Sequence, residues 1–449
     1  MAPLKRILGA PTAWCIGMGV AIGSGVFRTP GAAAESLGTP FWIIAAWLFG
    51  GFFVLMAGLV TAELATRFAE AGGEYVFLRE AYGRFVAFFF GWAYTIFVIG
   101  GGAATIAAAF GDFGCEWLAI DAVWSGWLAA GAIVAVTVIN SMGLRTGAGT
   151  QNVLTAVKIA ALLVVIVIGC TYGLQSVDWT PTFTADASPN GGRHWLALFA
   201  TGFLPVLWAY DGTTDAVKMA EEIKDVRRAL PRALIGSALA LTVLYVAFNL
   251  ALLRMVPVNA MAGQPFVPGD ALAAAIGPAG RNAMLLVAMV VCLGSLGSTV
   301  LATIRVTFAL ARDGLTFRVF ARMSRDQAPI PALILAAAVA VVLVLNRSFR
   351  QVLDIYFFAS AILFGLSYAS LIVFRRRERE FPSTAFRCPA GPLLAVVLIV
   401  IQMGLAVNII HDNPSDALYT CLLLVGIGLL YLVWRRRGTD TPSHSGGAD

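Results

Sequence analysis

The sequence is poor in charge. Asp, Glu, Lys and Arg make up 12% of its residues against 59% hydrophobic ones, and the mean hydropathy is +0.82, whereas a soluble domain carries about a quarter charged residues. That excludes an ordinary soluble globule, and the chain's solvent is largely lipid. Histidine is scarcer still. His194, His411 and His444 all fall outside the apolar stretches and form no ligand cluster. The six cysteines, Cys15, Cys115, Cys170, Cys292, Cys388 and Cys421, include no short-spaced pair of the kind that binds zinc or forms a redox couple. They read as small apolar residues. With no His, Cys or acidic cluster, a membrane enzyme or a metal site is not expected. No Gly-rich loop ends in Gly-Lys-Ser/Thr, which argues against a primary pump. Only residues 174–194, 256–280 and the tail after Arg437 are more than connectors, so there is no room for an ATPase and no cofactor is implied.

What is present is a series of long apolar runs. A spanning helix needs ~20 apolar residues, and twelve such stretches are centred near residues 22, 53, 96, 133, 161, 207, 244, 295, 338, 364, 400 and 424. The first follows a weakly basic start but runs past Gly25 without a convincing cleavage site, so it reads as a span and not as a signal peptide. The formal net charge is +6, but the basic residues lie between apolar runs and form no soluble stripe, which excludes a nucleic-acid surface. Alternating the loops puts 23 Lys and Arg on one side, from Lys5 and Arg6 through Lys218 and Lys224 to Arg435, Arg436 and Arg437. The other side receives five: Arg193, Arg254, Arg281, Arg347 and Arg350. By the positive-inside rule both termini are cytoplasmic, in a multi-pass protein of the cytoplasmic (inner) membrane.

Two runs are interrupted, span 1 at Gly23-Ser24-Gly25 and span 6 at Tyr210-Asp211-Gly212. Glycines such as Gly50-Gly51 and Gly100-Gly101-Gly102 read as close helix packing, but a second break that carries an Asp goes further. Unpaired backbone at mid-membrane survives only where it is buried in protein or lines a polar cavity. The breaks lie five spans apart, an odd number, so the two spans enter from opposite sides. This is the pattern of an inverted repeat with a substrate site between the broken helices. The expected organisation is residues 1–173 (spans 1 to 5), 174–380 (spans 6 to 10), 381–437 (spans 11 and 12) and a flexible cytoplasmic tail, 438–449.

Where span 1 resumes near Val26, the amides of Ser24, Gly25 and Val26 face the gap with a helix dipole behind them, which makes an anion site. The first half of span 6 ends near Trp208 and Ala209 with orphan carbonyls that suit an ammonium group. Donors on one side and acceptors on the other fit a zwitterion, hence an amino acid. The candidate substrate-binding residues are Ala21, Ile22, Gly23, Ser24, Gly25, Val26, Trp208, Ala209, Tyr210, Asp211 and Gly212. Asp211 has two readings, a helix N-cap or a partner for a cationic side chain. Lys158, eight residues after Thr150, lies ~12 Å into span 5, deep enough to read as functional, the alternative being a snorkelling side chain. Glu63, Glu74, Glu80, Glu221 and Glu222 are expected in inner-gate or topology-fixing ion pairs and not as proton carriers. Arg28 is either an outer-vestibule charge or a lipid-interface anchor.

Four stretches, Gly19 to Phe27, Ala62-Glu63-Leu64 through Gly72-Gly73-Glu74-Tyr75 to Glu80-Ala81-Tyr82-Gly83, Leu207 to Gly212 and Ala220 to Lys224, resemble the amino acid, polyamine and organocation superfamily, most nearly its L-type amino acid transporter branch. The resemblance implies an all-α membrane protein of about twelve helices with the leucine-transporter fold, a 5+5 inverted repeat with broken helices 1 and 6 plus two C-terminal helices. It implies secondary, sodium-independent amino acid transport by alternating access, through exchange or proton symport, with a polyamine or organic-cation carrier as the alternative. By position it places the substrate carboxylate on Ser24 and Gly25 and the amino group on the carbonyls of Ala21, Trp208 and Asp211, with Trp208 as an aromatic gate. It makes Lys158 the coupling residue, an ammonium in the place of a sodium ion between spans 1 and 8. Two positions depart from the branch pattern: Thr213 stands where Trp is usual, which bears on substrate size, and Val226 where Pro is usual. Cys115, expected in the loop after span 3, is where the heteromeric branch joins an accessory glycoprotein. No such heavy chain is expected here, because the surrounding loop is unlike that branch and the short termini look bacterial.

Overall fold

The computed structural model describes residues 6–173, 175–181, 195–326, 328–346, 349–378 and 385–437. The expected tail 438–449, and with it His194, His444, Arg193, Arg347 and Arg379, lies outside the described residues. Among the described residues the chain is helical, with no strand beyond a single parallel bridge between Leu8 and Ile223.

All twelve apolar runs are helices. Span 1 is Ala10–Ala21 and Gly25–Leu37, bent by 45° at the break. Spans 2 to 5 are Pro40–Arg67, Arg84–Leu118, Ser125–Ser141 and Leu144–Tyr172. Spans 7 and 8 are Val226–Met255 and Pro278–Arg312, and spans 9 to 12 are Ile330–Asn346, Phe349–Arg377, Gly391–Asp412 and Pro414–Arg437. Span 6, Trp195–Tyr210, has 16 residues, ~24 Å at 1.5 Å per residue, and falls short of a hydrocarbon core of ~30 Å. A turn at 211–214 and a 3₁₀ helix, Asp215–Glu222, continue its course. This irregular stretch is buried among spans 1, 2, 7 and 8, a setting in which non-helical backbone is tolerated at membrane depth.

Four of the five pairs of spans five apart pack against each other. The second half of span 1 lies on span 6, span 2 on span 7, span 3 on span 8 and span 4 on span 9. Small residues permit the closest approaches: a Cβ on Gly25 would lie 2.6 Å from the Ala209 Cα, and one on Gly51 2.1 Å from the Thr242 Oγ1. Span 3 holds a feature with no sequence signal, a π-helical turn at Tyr94–Gly100 between two α-helical stretches. Such turns widen a helix locally and concentrate at functional sites.

Candidate functional site

A narrow cavity of about 30 Å³ lies between the two breaks. Ala21, Gly23, Ser24, Gly25, Trp208 and Asp211 line it, as do Val20, Tyr94, Val98, Gly102, Ile106, Asp215, Ser295, Thr299, Thr303 and Tyr356. Ile22, Val26 and Ala209 are buried in the packing around it, while Tyr210 and Gly212 face a second cavity beyond the span 6 turn.

The second half of span 1 starts at Gly25, one residue before the expected Val26. Its N-terminal flanking residue, Ser24, makes no side-chain capping bond. The leading amides therefore precede the first intrahelical acceptor, and Ser24 and Gly25 line the cavity. The carbonyl end of the first half is differently placed. Lys158 Nζ donates to the Gly19 carbonyl at 2.6 Å, Ser295 Oγ to Val20 at 2.8 Å and Tyr245 hydroxyl to Ala21 at 2.9 Å. Three side chains from spans 5, 8 and 7 thus satisfy three consecutive orphan carbonyls. Lys158 is fully buried and does not snorkel, and its ammonium sits at the negative end of a helix dipole. It also reaches span 8, since a Cβ on Gly294 would meet its Cε at 2.8 Å.

In span 6 the Trp208 carbonyl accepts the Asp211 amide at 3.2 Å and the Tyr210 carbonyl accepts the Thr213 hydroxyl at 2.5 Å. Of the carbonyls expected for a substrate ammonium, those of Ala21 and Trp208 therefore already hold one partner each, and each keeps one lone pair. The Trp208 indole lies over the gap, with Nε1 3.4 Å from Ser24 Oγ, and meets Tyr356 and Phe357 edge to face. Gly212 has φ +84°, a left-handed turn that glycine adopts without strain. Asp211 does not cap a resumed helix: the chain becomes helical again only at Asp215, flanked by Thr214. Its carboxylate accepts the Tyr356 hydroxyl instead. Thr213 is buried and lines the second cavity, so the position expected to set substrate size does not face the central one.

Several lining residues were not singled out from the sequence. Ser295, Thr299 and Thr303 recur every four residues along span 8 and put one polar face on an apolar helix, a signal that was legible. Tyr94, on the π turn, and Tyr356 had no such signal. The Tyr94 hydroxyl and Thr299 Oγ1 are buried without a partner among the described residues, which leaves both free for a ligand.

The expected acidic residues are all paired. Glu63 binds Arg67 at 2.8 Å and Arg375 at 2.7 Å, Glu221 binds Arg312 at 2.9 Å and Glu222 binds Arg305 at 2.9 Å. Glu80 binds Arg79, which also bonds Asp313, and Glu74 binds Lys218. Beside these pairs, burial pushes the Cys388 thiol up to about 11, so it is inert. On the opposite face Arg28 is a vestibule charge: it pairs with Asp112 at 2.8 Å and stacks over Phe349 at 4.3 Å. Cys115 is not in a loop but buried in the last turns of span 3, Arg84–Leu118. Among the described residues no His, Cys, Asp or Glu group could hold a metal.

The sequence profile of the amino acid permease family matches residues 8–438. The serine/threonine exchanger SteT of Bacillus subtilis is 29% identical over 97% of this chain and 98% of its own length. The human b(0,+)-type amino acid transporter 1 is 28% identical over 95% and 87%, and the human large neutral amino acids transporter small subunit 2 is 26% identical over 84% and 71%. A match along nearly the whole chain, on a helical bundle whose two broken spans meet at one cavity, shows that this chain belongs to the amino acid permease family of multi-pass membrane transporters and is not an enzyme.

Proposed function

We propose that the protein carries amino acids across the cytoplasmic membrane by alternating access, without sodium, and that it exchanges one for another. The observation that carries this reading is the meeting of the free amide end of span 1, at Ser24 and Gly25, with the Trp208 to Asp211 end of span 6 in one cavity. A carboxylate fits the first and an ammonium the second. A polyamine would leave the amide end without a partner. Sodium independence rests on Lys158, whose tethered ammonium joins spans 1 and 8 where a free cation would otherwise be needed. The relatives named as exchanger and as b(0,+)-type transporter support amino acids as the substrate class. The pairing of spans five apart supports two inverted repeats over residues 1–173 and 174–380. Cys115, buried, supports a carrier that works without an accessory chain.

The purified chain alone, in liposomes loaded with unlabelled serine, leucine or arginine, is expected to take up the labelled form and to be indifferent to replacing sodium with choline. Absence of exchange with every amino acid, alongside putrescine uptake, would refute the reading. The 23 to 5 split of basic residues supports an orientation with both termini in the cytoplasm. Single cysteines introduced at residues 3 and 440 should resist an impermeant thiol reagent applied to intact cells, and labelling from outside would reverse the orientation.

A further inference from the structure

The lining of the central cavity divides into two kinds of surface. The broken spans 1 and 6 contribute Gly23, Ser24, Gly25, Trp208 and Asp211, the groups to which the substrate carboxylate and ammonium are assigned above. The continuous spans 3 and 8 contribute Tyr94 and Thr299, beside the apolar Val98 and Ile106. An α-amino acid held at spans 1 and 6 by its carboxylate and ammonium has its side chain left for the rest of the lining. What spans 3 and 8 present there decides which side chains are welcome.

Most hydroxyls around the cavity are already spent. Ser24 Oγ accepts from the Trp208 indole at 3.4 Å, Ser295 Oγ donates to the Val20 carbonyl at 2.8 Å, Thr303 Oγ1 to the Thr299 carbonyl at 2.6 Å and the Tyr356 hydroxyl to Asp211. The Tyr94 hydroxyl and Thr299 Oγ1 are different. Tyr94 is fully buried and Thr299 is 6% exposed, and neither group has a partner among the described residues. A helical threonine ordinarily donates to the carbonyl four residues back, as Thr61, Thr105 and Thr303 do. Thr299 does not, although it lies on the same span 8 face as Thr303. The Tyr94 ring is held by stacking on Phe90 at 5.2 Å and by Lys218 Nζ 5.4 Å from its centroid, so the ring is engaged while its hydroxyl is not. Buried hydroxyls without partners are costly and call for an explanation, and both of these line the substrate cavity.

We propose that Tyr94 and Thr299 read the substrate side chain and select short hydroxylated amino acids, serine and threonine, over their apolar counterparts. A hydroxyl is donor and acceptor at once, so one substrate hydroxyl can accept from Tyr94 and donate to Thr299 Oγ1, satisfying both. Alanine and valine leave both unpaired. The threonine methyl group finds Val98 and Ile106 in the same lining. Size acts in the same direction: a cavity of about 30 Å³ holds about two to three water-sized groups, and every further side-chain atom has to displace packed walls. This inference rests on the amino acid transport reading and names the side-chain class that the same site takes.

The test uses the full chain in liposomes loaded with an unlabelled mixture of serine, leucine and arginine, and measures uptake of labelled threonine and labelled valine, which have nearly the same shape and differ by the hydroxyl. Threonine should exceed valine in kcat/KM by about tenfold or more, with serine exceeding alanine in the same sense. Tyr94→Phe and Thr299→Val each delete one hydroxyl with little change in shape. Each should lower the threonine-to-valine ratio by about threefold or more, mainly through the KM for threonine, and the double variant should bring the ratio close to one. A hydroxyl with a merely structural role would lower uptake of both amino acids and leave the ratio where it was, which would overturn the proposal. So would a wild-type ratio within about twofold of one, or a preference for asparagine or leucine over threonine. The wild-type ratio decides even if a variant does not fold. Exchange without a preference for threonine would sink this proposal alone, whereas absence of exchange with every amino acid would sink the transport reading with it.

Discussion

The two breaks do the same geometric work with opposite chemistry. In span 1 the break is built from Gly23, Ser24 and Gly25 and carries no charge of its own. Its carbonyl end is closed by side chains from three other spans, one of them Lys158. In span 6 the break contains Asp211, is followed by Asp215 and Lys218, and opens on a cavity at each side. Span 1 thus provides a neutral cradle whose polarity comes from the backbone, and span 6 provides side-chain charge. On the proposed reading, the first would recognise the part common to every amino acid and the second the part that differs.

The largest effect should come from destroying the cradle. A Cβ on Gly25 would lie 2.6 Å from the Ala209 Cα and 2.9 Å from the Ala209 nitrogen, and backbone cannot rotate away as a side chain can. Gly25→Val forces the two broken spans apart at a cost of ~1–3 kcal/mol or more and lifts the amides away from the substrate carboxylate. Exchange should fall by at least about 100-fold for neutral and cationic amino acids alike. Measured uptake of both classes within about threefold of wild type would show that the close crossing is not part of the site.

Next is the cap on span 1. Lys158→Ala leaves the Gly19 carbonyl buried and unpaired, a penalty of ~1–3 kcal/mol, and removes the link from span 5 to span 8. Uptake should fall by about 10- to 100-fold, with protein that still elutes as a monodisperse species in detergent. The comparison sharpens if the loss is the same for neutral and cationic substrates, because the cap acts on the shared cradle. Normal uptake by Lys158→Ala, or a wild type that requires sodium, would remove Lys158 from coupling.

The span 1 break was more legible in sequence than the span 6 break, and the reason is physical. Backbone recognition demands glycine, so Gly23 and Gly25 announce the cradle, and the fixed 1.5 Å rise announces the depth of Lys158. Twelve apolar runs gave twelve helices because lipid permits little else. Side-chain roles near span 6 depend on which way the chain turns at Gly212, and no periodicity reports that. Asp211 was therefore balanced between cap and charge until its carboxylate was found against Tyr356, 145 residues later in sequence. For the same reason nothing in the sequence reported that Thr213 lines the second cavity. The π turn that brings Tyr94 to the cavity has no compositional mark, and Cys115 was displaced into a loop because span 3 runs on to Leu118, 35 residues in all.

The smallest and most selective effect belongs to Asp211. With the helix resuming only at Asp215, the capping role has lost its structural basis, and what remains is a carboxylate on the wall of the central cavity, oriented by the Tyr356 hydroxyl. A cationic side chain reaching that wall would gain an ion pair in a poorly hydrated site, worth more than ~1.4 kcal/mol, while a neutral side chain would gain nothing from the charge. Asn keeps the size of Asp and can still accept from Tyr356, so Asp211→Asn removes charge with little change in shape. Arginine, lysine and ornithine uptake should fall by about tenfold, with serine and leucine uptake within about twofold. Equal losses for both classes would mean that Asp211 serves the geometry of the turn, that span 6 contributes no charge recognition, and that the preferred substrates are neutral. A selective loss would instead tie substrate charge to the same wall that borders the Asp215 and Lys218 cluster.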